Sequence, residues 1–115
     1  MQWLMPILIS SMDKITEIEQ NIVAALKTVF DPEIPVNIYD LGLIYKIDVN
    51  EKYDVDIDMT LTAPNCPMVD QLIEEARAAV KTVENVRGVS INIVFDPPWS
   101  KDMLSEEAML DLGLI

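Results

Sequence analysis

Cys66 is the only cysteine in a chain of 115 residues, and it lies in Leu61-Thr62-Ala63-Pro64-Asn65-Cys66-Pro67, where an alternating apolar pattern gives way to a helical one. The thiolate is the form of cysteine that attacks electrophiles and binds metals, so the question is what would ionise this one. Pro67 suits the first turn of a helix, because the N–H it lacks has no intrahelical partner there. Cys66 then takes the N-cap, facing unpaired backbone N–H groups and the positive end of the helix dipole. The dipole supplies about 0.3–1 kcal/mol, less than one pKa unit, so direct hydrogen bonds from the N–H groups of Met68 or Val69 must add to it. Asp70, in the same turn, acts against both. The expectation is a moderately activated cysteine. The alternative is a free thiol packed as a small hydrophobe.

Other side-chain chemistry is narrowed by absence. There is no histidine, which excludes imidazole acid–base catalysis, a Cys–His pair and His-ligated zinc. A single cysteine permits no internal disulfide and fits a reducing, cytoplasmic compartment. Eight basic against twenty acidic residues, a formal charge of −12, argue against nucleic acid and anionic membrane surfaces as partners. Proteins or small molecules remain.

The elements that must position Cys66 follow from periodicity. Residues 1–11 are apolar, too short to span a bilayer, and lack the basic start and cleavage site of a secretory signal. They are read as an extension outside the domain, which occupies 12–115. Asp13 is the expected N-cap of a first helix with Ile15, Ile18, Ile22, Leu26 and Val29 on one face, ended by Asp31-Pro32. An ordered loop runs to Gly42, anchored by Ile34, Val36, Ile38 and Leu41. Two alternating strands follow. Leu43, Tyr45, Ile47 and Val49 point inward from the first, and Tyr53, Val55, Ile57, Met59 and Leu61 from the second, whose Asp54, Asp56, Asp58, Thr60 and Thr62 form the outward, solvated face. Aspartates two apart along a strand spread over a line, so a hard-cation site is the weaker reading.

After Cys66 the helical stripe is Val69, Leu72, Ile73, Ala76, Val80 and Val83. A third strand runs from Val89 to Phe95 with Val89, Ile91, Ile93 and Phe95 inward, stopped by Asp96-Pro97-Pro98. The tail carries Trp99 and a short helix capped by Ser105. One domain of helix, two strands, helix, strand and short helix predicts an α/β (α+β) two-layer sandwich: a small three-stranded sheet with its helices on one face.

Asp31-Pro32-Glu33-Ile34-Pro35, Asp40-Leu41-Gly42-Leu43-Ile44, the Leu61-Thr62 to Cys66-Pro67 stretch, Pro97-Pro98-Trp99 and Ser105-Glu106-Glu107-Ala108, taken in order, resemble the metal–sulfur cluster biosynthesis family that includes the SufT and PaaD proteins. The resemblance spans residues 13–114. It implies a fold like that of iron–sulfur cluster assembly domains, a role in maturing iron–sulfur proteins, and function centred on Cys66 with the Asp-Pro-Glu and Asp-Leu-Gly loop nearby. The first eleven residues have no counterpart in that pattern.

Iron–sulfur clusters are held by four ligands, mostly thiolates, and this chain offers one. A monomer is therefore not a conventional scaffold, and a symmetric homodimer would bring only two cysteines. The arithmetic fits an accessory factor rather than an enzyme. Cys66 would be a transient metal ligand, while assembly proteins and client apoproteins supply the rest, so no permanently bound cofactor is expected. Thr62 and Asn65 are candidates to hydrogen-bond the thiolate or a cluster sulfur, although turn and capping duties explain both equally well. Asp31, Glu33 and Asp40 are either functional or loop-building. Trp99, held by a Pro-Pro pair, is expected against the 31–42 loop and Cys66, either as an apolar wall of the site or as a plug for the core. Two other readings stay open: an acidic protein-interaction module with a structural cysteine, and a thiol-dependent sulfur-transfer enzyme, which would lack a resolving cysteine and a basic neighbour.

Overall fold

Alternating apolar and acidic residues make 54–59 the centre of the sheet. The structure, a computed structural model, describes residues 5–32, 34–62 and 69–114, with side chains from Lys14 onward. In chain order it contains α1 (Met5–Leu26), β1 (Ile44–Val49), β2 (Asp54–Met59), α2 (Val69–Lys81), β3 (Gly88–Ile93), a single 3-10 turn at Lys101–Met103 and α3 (Glu106–Asp111). The strands lie in the order β1-β2-β3, with β1 antiparallel and β3 parallel to β2. The parallel pair is joined by α2, the crossover that such a pair requires. On β2, Val55, Ile57 and Met59 are buried, while Asp54, Asp56 and Asp58 stay half-exposed on the opposite face. Ile18, Ile22 and Leu26 of α1 and Leu72, Ala76 and Val80 of α2 close the core on the apolar side. The two-layer expectation therefore holds.

The hairpin turn is set by Asn50, whose Oδ1 accepts from the N–H groups of Lys52 and Asp54, both at 2.9 Å. Ser105 caps α3, its Oγ accepting from Ala108 N–H at 3.1 Å. No helix among the described residues is long and apolar enough to cross a membrane.

Four expectations change. Thr60, expected on the solvated face of the second strand, is buried, because it lies past the end of β2 where its N–H bonds back to Leu43. In β1 the register jumps: Ile44 opposes Met59 and Lys46 opposes Asp58, so Tyr45 is the extra residue of a bulge. Ile44 takes the inward position, and the Tyr45 hydroxyl donates to the Pro97 carbonyl at 2.7 Å, with Met103 Sδ 3.4 Å away. At the far end β3 stops at Ile93, which pairs with the last residue of β2, Met59. Phe95, beyond that pairing, is 53% exposed instead of facing the core. Finally, α1 begins at Met5, so Asp13 is inside the helix and does not cap it.

Candidate functional site

The loop between α1 and β1 is built by its own polar side chains. Asp31 Oδ1 accepts from Ile34 N–H at 3.0 Å, and Asp31 N–H donates to the Val36 carbonyl at 3.2 Å. Asn37 and Asp40 form a reciprocal pair: Asn37 Nδ2 donates to Asp40 Oδ2, and Asp40 N–H donates to Asn37 Oδ1, each at 2.8 Å. This is how two buried aspartates avoid the cost of unpaired polar burial. Ile38 and Leu41, fully buried, pin the same loop to the core.

The C-terminal tail locks the loop from outside. Trp99 Nε1–H donates to the Leu41 carbonyl at 2.7 Å, and Ser105 N–H donates to the Asp40 carbonyl at 2.8 Å. Between them, Gly42 adopts φ +86°, where a side chain is strained. A Cβ there would stand 2.8 Å from Met103 Cβ and closer still to the Met103 carbonyl oxygen. The Asp-Leu-Gly sequence is thus read three times by one tail.

The loop is also joined to the end of the sheet. Thr60 N–H donates to the Leu43 carbonyl at 2.8 Å, so the exit of β2 lies beside the end of the loop. Thr62, half-buried, is the last described residue on that exit. At the start of the loop, Asp31 and Pro32 line a hollow of about 290 Å³ with Phe30 and with Gln71, Leu72 and Glu75 from the first turns of α2. The β2 exit and early α2 flank Cys66 in the chain, and the loop touches both. Cys66, Asn65 and Glu33 lie outside the described residues, as does the expected cap-and-proline pair Cys66-Pro67.

Of the expected site residues, Asp40 and Trp99 meet at the seam of loop and tail, separated along the loop only by the turn to Leu41. Asp31 belongs to the hollow against α2, and Thr62 to the exit of β2. Both aspartates carry loop-building bonds. Asn37, Met103 and the backbone of Ser105 complete the arrangement without having been anticipated. For Asn37 a signal was available, the Asn-x-x-Asp spacing ahead of Gly42; for Met103 there was none. Among the described residues no group of three His, Cys, Asp or Glu side chains is disposed to hold a metal ion.

This geometry defines a small α+β domain that gathers a Pro- and Asp-rich loop, the exit of β2 and a tryptophan tail beside a three-stranded mixed sheet. The chain belongs to the iron–sulfur cluster assembly protein family, whose model matches residues 19–93. It is 58% identical over 97 residues, 84% of this chain and 92% of the relative, to an Fe-S protein maturation auxiliary factor of Porphyromonas gingivalis. It is 40% identical to the Fe-S protein maturation auxiliary factor SufT of Staphylococcus aureus, covering 75% of this chain and 98% of that protein. Among solved structures, a domain of unknown function from Bacillus anthracis superposes with a TM-score of 0.81 at 36% identity, covering 87% of this chain and 95% of that one.

Proposed function

We infer that this chain is an accessory factor in iron–sulfur cluster assembly, and we propose that it carries or directs a cluster to client proteins with Cys66 as a transient ligand. The observation that carries the reading is its likeness, over most of both chains, to relatives named maturation auxiliary factors. Chemistry supports the division of labour. A cluster needs about four ligands and this sequence contains one thiol, so the cluster is cargo shared with a partner and not a resident group. Shared ligation favours transfer, because the client's thiolates can replace the partner's one at a time. In this reading the chain acts in the cytoplasm on assembly proteins and apoproteins, and no catalytic step of its own is needed. Trp99, standing over Leu41, would exclude water from one side of the cargo.

Cys66→Ser tests the ligand. In cells lacking the native chain, the variant should fold and bind its partners while cluster-dependent enzyme activity stays at the level of the deletion. Full restoration of activity would overturn the ligand role. A second reading, an interaction module with a structural cysteine, draws on the half-exposed aspartates of β2, and that result would favour it.

A further inference from the structure

The two edges of the sheet differ. β1 is guarded in the usual ways, with the charged pair Lys46 and Asp48 and a bulge at Tyr45. β3 reads Gly-Val-Ser-Ile-Asn-Ile and carries no charge, no proline and no bulge. Its pairing partner is β2 on one side, anchored beyond the strand by Val94 N–H to the Met59 carbonyl at 2.8 Å. Among the described residues no strand pairs with its other side. Its inward row is also incompletely covered: Val89, Ile91 and Ile93 are half-buried, whereas their β2 partners Val55, Ile57 and Met59 are sealed. An open row of backbone donors and acceptors beside a partly exposed apolar row is the arrangement that accepts an added strand.

The outer face decides what kind of strand. Asn92 Nδ2 donates to Asp56 Oδ1 at 2.8 Å and to Asp58 Oδ1 at 3.1 Å. Those two carboxylates stand one strand in from the edge, and among the described residues the ion pair they make is with Lys46, 4.0 Å from Asp56. Side chains on the outer face of an added strand would be two strand spacings away, roughly 10 Å, within reach of a long basic side chain leaning across Ser90 and Asn92. Side chains on the inner face would cover Val89, Ile91 and Ile93. We propose that β3 is a docking edge for an extended partner segment that alternates apolar residues with Lys or Arg. A second copy of this chain is disfavoured as the occupant, since each copy carries a formal charge of −12. The parallel register sets Ile93 beside Met59, so the docked segment ends at the same end of the sheet from which the chain leaves β2 toward Cys66.

The test uses the intact protein and two synthetic peptides of one composition, one alternating Val with Lys and one with the same residues in blocks. At about ten times its dissociation constant, the alternating peptide should slow exchange of the outward-facing amides of Gly88–Ile93 about tenfold and leave those of β1 unchanged. Asp56→Asn combined with Asp58→Asn should weaken that binding and flatten its salt dependence. Equal binding by the blocked peptide, or binding without protection of β3 amides, would overturn the proposal. So would sedimentation of the free protein as a dimer with those amides already protected, since the occupant would then be a second copy. No cluster enters the measurement, so its failure is distinct from failure of Cys66 as a ligand.

Discussion

The Trp99 indole N–H and the Leu41 carbonyl meet at 2.7 Å across 58 residues of sequence, and this bond joins the tail to the loop at the centre of the candidate site. Leu41 is fully buried and the ring is half-buried, so the ring is held by one polar bond and by packing against the apolar core. Trp99→Phe keeps most of the packing and should cost about 1 kcal/mol, the worth of one hydrogen bond. Trp99→Ala should cost more, yet less than the roughly 3–5 kcal/mol of a fully buried ring. Urea unfolding reads both. If the ring also shields a cluster, maturation per folded molecule falls in Trp99→Ala; an unchanged value would leave it a core plug.

Gly42 and Gly113 make a matched pair of controls, with φ +86° and +74° respectively. An added Cβ at Gly113 meets nothing within 4 Å, whereas at Gly42 it strikes Met103. Gly113→Ala should therefore cost only the left-handed backbone penalty, roughly 1–2 kcal/mol. Gly42→Ala should cost that plus about 1–3 kcal/mol of overpacking. Equal losses would show that the tail yields freely around Met103.

On the sequence expectation that Cys66-Pro67 opens a helix, we propose that Cys66 alkylates with iodoacetamide faster than an unstructured thiol at neutral pH. The rate against pH in the folded protein is the measurement. Protection across the native range would mean that the thiol is packed in the core.

We propose that the domain begins at Met12. The described apolar side chains of α1 that reach the core start at Ile15, followed by Ile18, Ile22 and Leu26. A chain starting at Met12 should show a melting temperature only slightly below that of the full chain. A loss of several kcal/mol would mean that residues 1–11 pack into the fold or complete an interface.

Local pattern made the helices, the central strand and the α3 cap legible. Val55, Ile57 and Met59 declare their face because alternation along one strand is a property of the sequence itself. Tyr45 was assigned to the wrong face because a bulge is decided jointly with the opposite strand, and nothing in Ile44-Tyr45-Lys46 announces it. Phe95 kept the alternating rhythm, but β2 had no residue left to pair with it. Asp13 reads as a cap because acids favour that position, yet the helix runs back to Met5 and leaves it in the third turn. Within the site, the types of Asp31, Asp40 and Trp99 could be picked out. Their partners could not, since Asp40 with Ser105 and Gly42 with Met103 are contacts made across some 60 residues of chain.

The seam between loop and tail also orders events in time. Chains emerge from synthesis N-terminus first, at about 5–20 residues per second, and domains generally fold as units. All three strands lie before residue 94, and Trp99, Met103 and Ser105 are made after them. Until they arrive, the carbonyls of Asp40 and Leu41 lack the donors that hold them in the finished molecule. The same tail that sets the loop also supplies Leu104 and Ala108 to the core, so loop and core are completed together. A chain cut after β3 would lack both the donors to the loop and two residues of the core.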